Sequence, residues 1–335
     1  MLIAWLTLTL GLGLLAGCGS PVNSSVDEGA LPDGRLSVYA SFYTMYDFAV
    51  KIGGDQVSVT NMVPAGTEPH DWEPAASDMI GLEKAAVFIY NGAGMEHWAE
   101  TILGSLQNKE LLVVEASKGL PLLHGSLGEE EETAAGREDE TEGVDPHVWL
   151  SPAVSALCMI ADTVDPHVWL SPLNAKAEME NIKNAFVRAD PEHAADYEAN
   201  YARYAAELEA LDQEFRETLA ALTHREVIVA HQAFGYLCAA YGLKQIPIDG
   251  LSPDSEPDPA RVAEIIDFAK EHEVKVIFFE ELVSPKVAAM IASAVGARTD
   301  QLNPLEGLSD EERAAGADYF SVMRQNMEAL KAALE

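Results

Sequence analysis

The sequence predicts an α/β protein with two lobes, each a mainly parallel sheet flanked by helices, joined by one long rigid helix. Short β-branched segments alternate with longer helical patterns, which is typical of parallel strands with crossover helices. This alternation occurs in two separate sets along the chain. Between the sets, residues 191–222 contain no glycine and no internal proline and are rich in the helix formers Ala, Glu and Leu.

Each set contains four candidate strands. In the first set a helix-compatible segment follows each strand, and the strands are LSVYA (36–40), QVSVTNMV (56–63), AAVFIY (85–90) and ELLVVE (110–115). The second set ends with a weak strand, and its members are EVIVA (226–230), KQIPI (244–248), VKVIFF (274–279) and RTDQL (298–302). Two α/β units are therefore expected, one on each side of the long helix.

The segment 191–222 is predicted to be a single helix. At 1.5 Å per residue it would span roughly 45 Å, about the length of a lobe. It would therefore join the two lobes as a strut rather than as a hinge. Two helices of a bundle are the alternative interpretation of the same segment.

Length and charge exclude some classes of function. A chain of 335 residues can form two cores, and 48% hydrophobic residues indicate a globular protein. The formal net charge is −34, so the chain would repel nucleic acids and anionic membrane surfaces. We expect a monomer that binds no nucleic acid.

An apolar run occupies residues 1–17 and ends in Leu-Ala-Gly-Cys at 15–18, which looks like a bacterial lipobox. By this resemblance residues 1–17 are a signal peptide, and the thiol of Cys18 carries the lipid anchor of an exported protein. Residues 18–33 would then be a tether. No Lys or Arg precedes the apolar run, which departs from the usual signal peptide.

The nonapeptide VDPHVWLSP occurs twice, at 144–152 and at 164–172, and carries His147 in the first copy and His167 in the second. Asp-Pro favours an extended backbone before the histidine, and Ser-Pro suits the start of a helix. The loop is thus suited to orient an imidazole. Taken alone, it is equally compatible with a structural turn and with a ligand site.

The second copy is the preferred ligand loop. An uninterrupted amphipathic pattern follows His167 at 173–188, whereas the helix behind His147 has room for barely a dozen residues. An acidic loop at 125–143 can absorb extra residues, because loop-closure entropy grows slowly with length. We therefore assign 144–163 as the inserted repeat and keep His147 as the alternative ligand. The predicted division is 1–17, 18–33, an N-terminal lobe (34–190), a linking helix (191–222) and a C-terminal lobe (223–335).

Three other residues lie where α/β proteins build ligand sites, outside the carboxyl ends of strands. His70 follows the second predicted strand in a proline-flanked loop, and His231 directly follows EVIVA. Glu306, in NPLEG (303–307), follows the last weak strand. Together with His167 they offer three imidazoles and one carboxylate.

Such a set suits Zn²⁺, which takes four nitrogen, oxygen or sulfur ligands in a tetrahedron. Four protein ligands leave no open coordination position for a metal-bound water, so we expect no enzyme and assign no catalytic residues. A low-ranked alternative is an exported zinc hydrolase with Glu68 or Glu73 as its general base. Four of the histidines that remain are interpreted as surface or helix-end residues: His97, His193, His224 and His272. His124, which opens the acidic loop, is a candidate for transient zinc capture.

The chain resembles the metal-specific solute-binding lipoproteins of bacterial ABC importers, above all their zinc-specific branch. Four segments carry the resemblance in order, around His70, His167, His231 and Glu306, and the likeness extends from about residue 36 to the C-terminus. It implies that these residues hold the ion between the lobes and that the long helix is the inter-lobe backbone. An acidic loop before the second ligand is also typical of zinc members.

The resemblance implies a protein on the outer side of the bacterial cell membrane, anchored through Cys18, that delivers Zn²⁺ to an ABC-transporter permease. A manganese-binding member of the same family is an alternative, since relatives selective for manganese carry two carboxylates in the set. A surface adhesin is a third hypothesis. Whether Cys158 and Cys238 form a disulfide or remain thiols stays open, with thiols preferred.

Overall fold

A computed structural model of the chain describes residues 31, 33–124, 164–253 and 257–335. Several predicted features lie outside these residues: the signal peptide, Cys18, the acidic loop 125–143, and the repeat 144–163 with His147 and Cys158. His70, His167, His231 and Glu306 lie within them.

The N-terminal lobe contains four parallel strands in the order β2-β1-β3-β4, which are β1 (Leu36–Ala40), β2 (Val57–Asn61), β3 (Val87–Tyr90) and β4 (Leu112–Glu115). Crossover helices follow the first three strands, and they are α1 (Tyr43–Gly53), α2 (Ala76–Leu82) and α3 (Ala99–Ser105). All four strands fall within predicted segments. Val38, Val87 and Ile89 are fully buried, which is expected of a parallel sheet covered on both faces.

Two helices in succession connect the lobes. Helix α4 (Pro172–Ala189) begins directly after the second copy of the nonapeptide, and α5 (Ala194–Ala220) is one unbroken helix of 27 residues. The predicted helix 191–222 is thus confirmed as a single helix, slightly shorter at each end. At its start, Pro191–His193 form a 3₁₀ turn, because Asp190 accepts hydrogen bonds from both His193 Nδ1 and the Tyr197 hydroxyl at 2.7 Å. This corner packs α4 against α5.

The C-terminal lobe repeats the architecture with the strand order β6-β5-β7-β8, again all parallel. Its strands are β5 (Glu226–Val229), β6 (Lys244–Pro247), β7 (Val276–Phe279) and β8 (Arg298–Gln301). Its helices are α6 (Gly235–Tyr241), α7 (Pro259–Glu271), α8 (Lys286–Val295), α9 (Asp310–Ala314) and α10 (Tyr319–Leu334). The weak segment RTDQL is therefore a strand, at the edge of the sheet.

The largest hydrophobic core runs through both lobes rather than stopping at their boundary. The C-terminal helix α10 carries Tyr319, whose ring lies edge-on against Phe48 of α1 with centroids 5.1 Å apart. Phe215 of α5 stacks on Tyr241 of α6 at 4.9 Å. The lobes are therefore packed together through shared side chains, and the predicted two-lobe α/β fold is confirmed. Among the described residues, no helix has the length and apolar character needed to cross a membrane.

Candidate metal centre

The four sequence-predicted ligand residues come together where the two sheets face each other. His70 lies between β2 and α2, and His167 lies in the turn that precedes α4. His231 follows β5, and Glu306 follows β8. Each side chain offers one nitrogen or oxygen atom, and these four atoms all lie within 4.8 Å of one another. This is the grouping expected when parallel strands present their carboxyl ends to a common cleft.

Five of the six distances between the four atoms are close to the edges of a tetrahedron around a zinc ion. Bonds of about 2.0–2.1 Å from zinc to its ligands give ligand separations of about 3.3 Å in a tetrahedron. His167 Nε2 lies 3.3 Å from His70 Nε2 and 3.4 Å from His231 Nε2. Glu306 Oε1 lies 3.4, 3.3 and 2.8 Å from the Nε2 atoms of His70, His231 and His167. All three imidazoles therefore present the same ring nitrogen to one centre.

The centre is closed to solvent on most sides. The side chains of His167 and His231 are fully buried, and that of Glu306 is 2% exposed. The His70 side chain retains 10% exposure, the most of the four. An ion would therefore reach the centre past His70, and it would be surrounded by protein atoms once bound.

A carboxylate fixes the orientation of His167. Oδ1 of Asp165 accepts a hydrogen bond from the His167 backbone N–H at 3.0 Å and from its Nδ1 at 2.8 Å. A proton held on Nδ1 leaves the lone pair on Nε2 for a metal. Within the repeated nonapeptide, Asp165 thus orients the imidazole as well as preceding the proline. The sequence alone predicts only the effect of Asp165 on the backbone.

His231 has an equivalent carboxylate partner in the C-terminal lobe. Its Nδ1 lies 2.6 Å from Oε2 of Glu280, and its backbone N–H donates to Oε1 at 3.2 Å. Glu280 directly follows β7, so it sits at the same edge of the sheet as His231. The sequence places the carboxylate of Glu280 directly after the strand VKVIFF, but it does not show which imidazole that carboxylate meets, and Glu280 was therefore missed.

His70 is held through its backbone. Its N–H donates to both carboxylate oxygens of Glu68, at 2.9 and 3.0 Å. The carboxylate of Glu68 is thereby engaged in shaping the loop, and Glu73 is largely exposed, with a single contact to His97 at 3.8 Å. Glu68 and Glu73 are the candidates for the general base of a hydrolase. No contact among the described residues directs either carboxylate toward the four ligand atoms.

Glu306 lies in a tightly constrained loop. Leu305 adopts a left-handed backbone conformation with φ of 60°, which is unusual for a residue other than glycine. Its N–H donates to the side chain of Asn303 at 2.7 Å, and its carbonyl accepts from the Thr44 hydroxyl of the opposite lobe. The Trp169 indole also donates across the cleft, to the carbonyl of Pro304 at 2.7 Å. Contacts from both lobes therefore determine where Glu306 points.

The charges in the centre are strongly coupled. Burial alone would lower the pKa of His231, but the carboxylates of Glu280 and Glu306 raise it well above its ordinary value. The pKa of His167 is also raised, because hydrogen bonds to Asp165 and Glu306 outweigh its burial. Burial would raise the pKa of Glu306, yet the imidazoles around it hold that pKa well below its usual range. The imidazoles and the buried carboxylate therefore each favour the charged form of the other.

The remaining histidines lie elsewhere. His97 is exposed, His193 closes the corner before α5, and His272 stacks on Phe268 at 4.1 Å. His224 lies near His272 and Glu226 on the far side of the C-terminal lobe, and His124 forms an isolated bridge with Val164. Cys238 is a buried thiol. The positions of His97, His193, His224 and His272 agree with the structural interpretation given to them from the sequence. Cys158 lies outside the described residues, so its pairing with Cys238 stays open.

Comparisons with known proteins identify the family. The family model described as zinc-uptake complex component A, periplasmic (ZnuA) matches residues 38–333. The high-affinity zinc uptake system protein ZnuA of Bacillus subtilis is 42% identical over 322 residues, which is 96% of this chain and 94% of that protein. The zinc-binding lipoprotein AdcA of Streptococcus pneumoniae is 38% identical over 299 residues, 89% of this chain but only 56% of AdcA.

Solved structures give the same result. The metal-dependent lipoprotein YcdH of B. subtilis has a TM-score of 0.72 and 40% identity, with 90% of this chain and all of that chain covered. The Zn(II)-bound ZnuA-like domain of S. pneumoniae AdcA has a TM-score of 0.72 and 34% identity, with 90% and 99% covered. The laminin-binding protein Lmb of Streptococcus agalactiae, described as an adhesin with metal-transporting activity, has a TM-score of 0.73 and 31% identity, with 89% and 99% covered. Since the family model spans almost the whole described chain, this protein belongs to the ZnuA family of periplasmic zinc-uptake components.

Proposed function

We propose that this chain is the zinc-binding component of a bacterial uptake system, which captures Zn²⁺ between its lobes and passes it to an ABC-transporter permease. His70, His167, His231 and Glu306 would bind the ion as transported cargo. The observation that carries the proposal is the set of atom separations between 2.8 and 3.4 Å around one centre. Membership of a family of zinc-uptake components supports it independently.

The donor set favours zinc over manganese. Imidazole nitrogen suits Zn²⁺, whereas the harder Mn²⁺ prefers carboxylate, carbonyl and water oxygens. Three nitrogens and one oxygen therefore disfavour the manganese alternative. Nitrogen ligands also bind Cu²⁺ and Ni²⁺, so selectivity would come from the tetrahedral spacing, which the square-planar preference of those ions does not match.

The same geometry favours a binding protein over a hydrolase. Catalytic zinc sites keep three protein ligands and leave one position for water or substrate. Four protein atoms at tetrahedral separations fill every position. A carrier must instead hold the ion and release it, and the contacts that place Glu306 from both lobes offer a way to do so when the lobes separate.

Calorimetric titration of zinc into the full chain, purified in mild detergent without metal, tests the proposal. We expect one ion per chain and a dissociation constant well below micromolar, with much weaker binding of Mn²⁺. His231→Ala is expected to abolish tight binding, because it removes one of four ligands. The proposal is wrong if the wild-type chain binds zinc no more tightly than micromolar, or if it hydrolyses esters or peptides in a manner that depends on His231.

We further propose that Cys18 carries a lipid that anchors the protein to the outer face of the cell membrane as a monomer. The lipobox-like residues 15–18 support this, as does the description of AdcA as a lipoprotein. Cys18→Ala is expected to move the protein from the membrane fraction to the soluble fraction and to leave its zinc affinity within about twofold, because Cys18 is not one of the four proposed ligands. Cell fractionation followed by titration measures both effects, and a variant that stays in the membrane fraction would contradict the anchor.

A further inference from the structure

Two adjacent residues at the start of α6 in the opposite lobe, Gly235 and Tyr236, contact the turn that carries His167. Neither residue belongs to the proposed ligand set. We infer that both are positioning residues for zinc binding, which act through Asp165 to fix the direction of the His167 imidazole. The inference rests on the zinc-binding function proposed above and extends it to residues that do not touch the ion.

Tyr236 contacts two backbone segments that lie side by side, at residues 123–124 and at residues 164–165. This paired region is called the neck. Its hydroxyl, on a buried side chain, donates to the carbonyl of Asp165 at 3.0 Å and accepts from the N–H of Leu123 at 2.8 Å. The neck is closed by the Asp165 N–H, which donates to the Leu123 carbonyl at 2.8 Å, and by the bridge between His124 and Val164. The position of Asp165 is therefore set at the neck, whatever the length of chain between residues 124 and 164.

Gly235 leaves space for the carboxylate of Asp165. A Cβ atom at position 235 would overlap Oδ2 of Asp165, far inside van der Waals contact. Gly235 does not have a positive φ, so its backbone conformation does not require glycine. The missing side chain is required for space alone, and that space is occupied by the residue that orients His167.

Displacing the Asp165 carboxylate would disturb His167 directly. Its other oxygen, Oδ1, accepts from both the backbone N–H and Nδ1 of His167. Asp165 is 2% exposed, so it has little room to move away from a methyl group at 235. From the N-terminal lobe, the amide of Asn91 donates to the carbonyl of Pro166 at 2.9 Å. The histidine is thus held between anchors on both lobes, and its aim depends on how the lobes meet.

Two substitutions with matched controls test the inference on the full chain in mild detergent. Gly235→Ala is expected to lower zinc affinity about 10- to 100-fold, the usual effect of losing an outer-shell partner of a ligand, and Tyr236→Phe about 10-fold. The control for the first is Gly104→Ala, at a helical glycine with open space around its Cβ position. The control for the second is Tyr241→Phe, in the same helix. It removes a phenolic hydroxyl that donates a hydrogen bond to Asp212 at 3.1 Å. Both controls are expected to stay within twofold of the wild type.

Two further readouts separate positioning from a general loss of stability. In an Asp165→Ala background, Gly235→Ala is expected to cause no additional loss of affinity, because the overlapping carboxylate is gone. The visible absorption of bound Co²⁺, which reports ligand geometry, is expected to change in Gly235→Ala and Tyr236→Phe but not in Tyr241→Phe.

The outcomes distinguish this inference from the proposed function. If the wild-type chain binds no zinc, the proposed function fails, and this inference fails with it. If the wild type binds zinc and both Gly235→Ala and Tyr236→Phe match it in affinity and Co²⁺ spectrum, only the positioning role is overturned. An equal loss of affinity from Gly235→Ala with and without Asp165 would also overturn it. If Gly235→Ala does not fold, the affinity and spectrum of Tyr236→Phe decide the question.

Discussion

Alanine at position 167 is expected to lower zinc affinity about 100- to 1,000-fold, whereas alanine at position 147 is expected to leave it unchanged. Binding of zinc to structural sites with four protein ligands is worth about 10–16 kcal/mol, or about 2.5–4 kcal/mol for each ligand, and 1.4 kcal/mol is a factor of ten in affinity. The two histidines occupy the same position in identical nonapeptides. A difference in zinc affinity between the two variants therefore reflects where each histidine lies in the fold and not its local sequence.

The physical reason for the asymmetry is the surroundings of His167. Its Nε2 lies within 3.4 Å of the nearest atoms of His70, His231 and Glu306, and Asp165 orients its ring. Helix α4 begins five residues further on and fixes the turn from its other end. A histidine in the first copy would need the same neck, the same helix and the same cleft, and these are occupied by the second copy.

Titration calorimetry of His147→Ala and His167→Ala side by side measures the effect. Thermal melting without metal is the control for folding, and both variants are expected to remain folded, since His167 lies in a turn rather than inside a strand or helix. Asp165 loses a hydrogen-bond partner in His167→Ala, so a modest decrease in melting temperature is expected for that variant alone. The reverse ranking of zinc affinities would assign 164–172 as the inserted copy.

Much of the candidate site could be predicted because its parts follow local rules. EVIVA is a strand by composition, and a residue that directly follows a parallel strand lies at the ligand-binding edge of its sheet. His231 is such a residue. His70 and Glu306 follow strands at a greater distance, and their side chains lie with those of His167 and His231 in one group.

The partners of the ligands could not be assigned in this way. The chain contains 55 acidic residues, and nothing local shows which of them will meet an imidazole across a cleft. Glu280 reaches His231 because β5 and β7 are neighbours in the sheet, which depends on strand order rather than on sequence. The role of Gly235 also could not be predicted from the sequence. A glycine is required there because Asp165 of the other lobe packs against it, and only the fold shows this contact.

The exact ends of the long helix are another feature that the sequence does not predict. Residues 191–193 have helical composition but form a 3₁₀ turn, because Asp190 captures His193 and Tyr197. Both contacts join side chains that meet only through the geometry of this turn, which composition does not give. The prediction of one rigid helix was nevertheless correct, since no glycine or proline interrupts residues 194–220.

Zinc affinity is expected to fall steeply as the pH is lowered, and the fall should begin above the ordinary histidine pKa of about 6.5. The pKa of His167 is raised and that of His231 is raised well above its ordinary value, so the metal-free protein keeps protons on these rings near neutral pH. Zinc must displace these protons to reach Nε2. Each displaced proton weakens binding about tenfold per pH unit, so two give about 100-fold per unit.

The stability of the metal-free protein is expected to change in the opposite direction. A histidine whose pKa is higher in the folded state stabilises the fold fully below its unfolded pKa, and this contribution is lost as the pH rises through the folded pKa. Protonated His167 and His231 therefore stabilise the apo form in acid, where they neutralise Glu306 at 2.8 and 3.3 Å. Above their folded pKa values the imidazoles are neutral, and zinc takes over the neutralising role.

Calorimetric titrations between pH 5.5 and 8.5, in buffers with different ionisation enthalpies, give both the affinity and the number of protons released. We expect about two protons per zinc near pH 6.5 and fewer as the pH rises, with the dissociation constant changing in parallel. His193→Ala is the control, because this half-buried histidine also has a raised pKa through its bond to Asp190 but lies outside the site. It should leave the proton count unchanged. If zinc affinity stays constant from pH 6 to 8 and no proton is released, zinc does not displace protons from His167 and His231. In that case the buried histidines would be structural, and the ion would bind elsewhere.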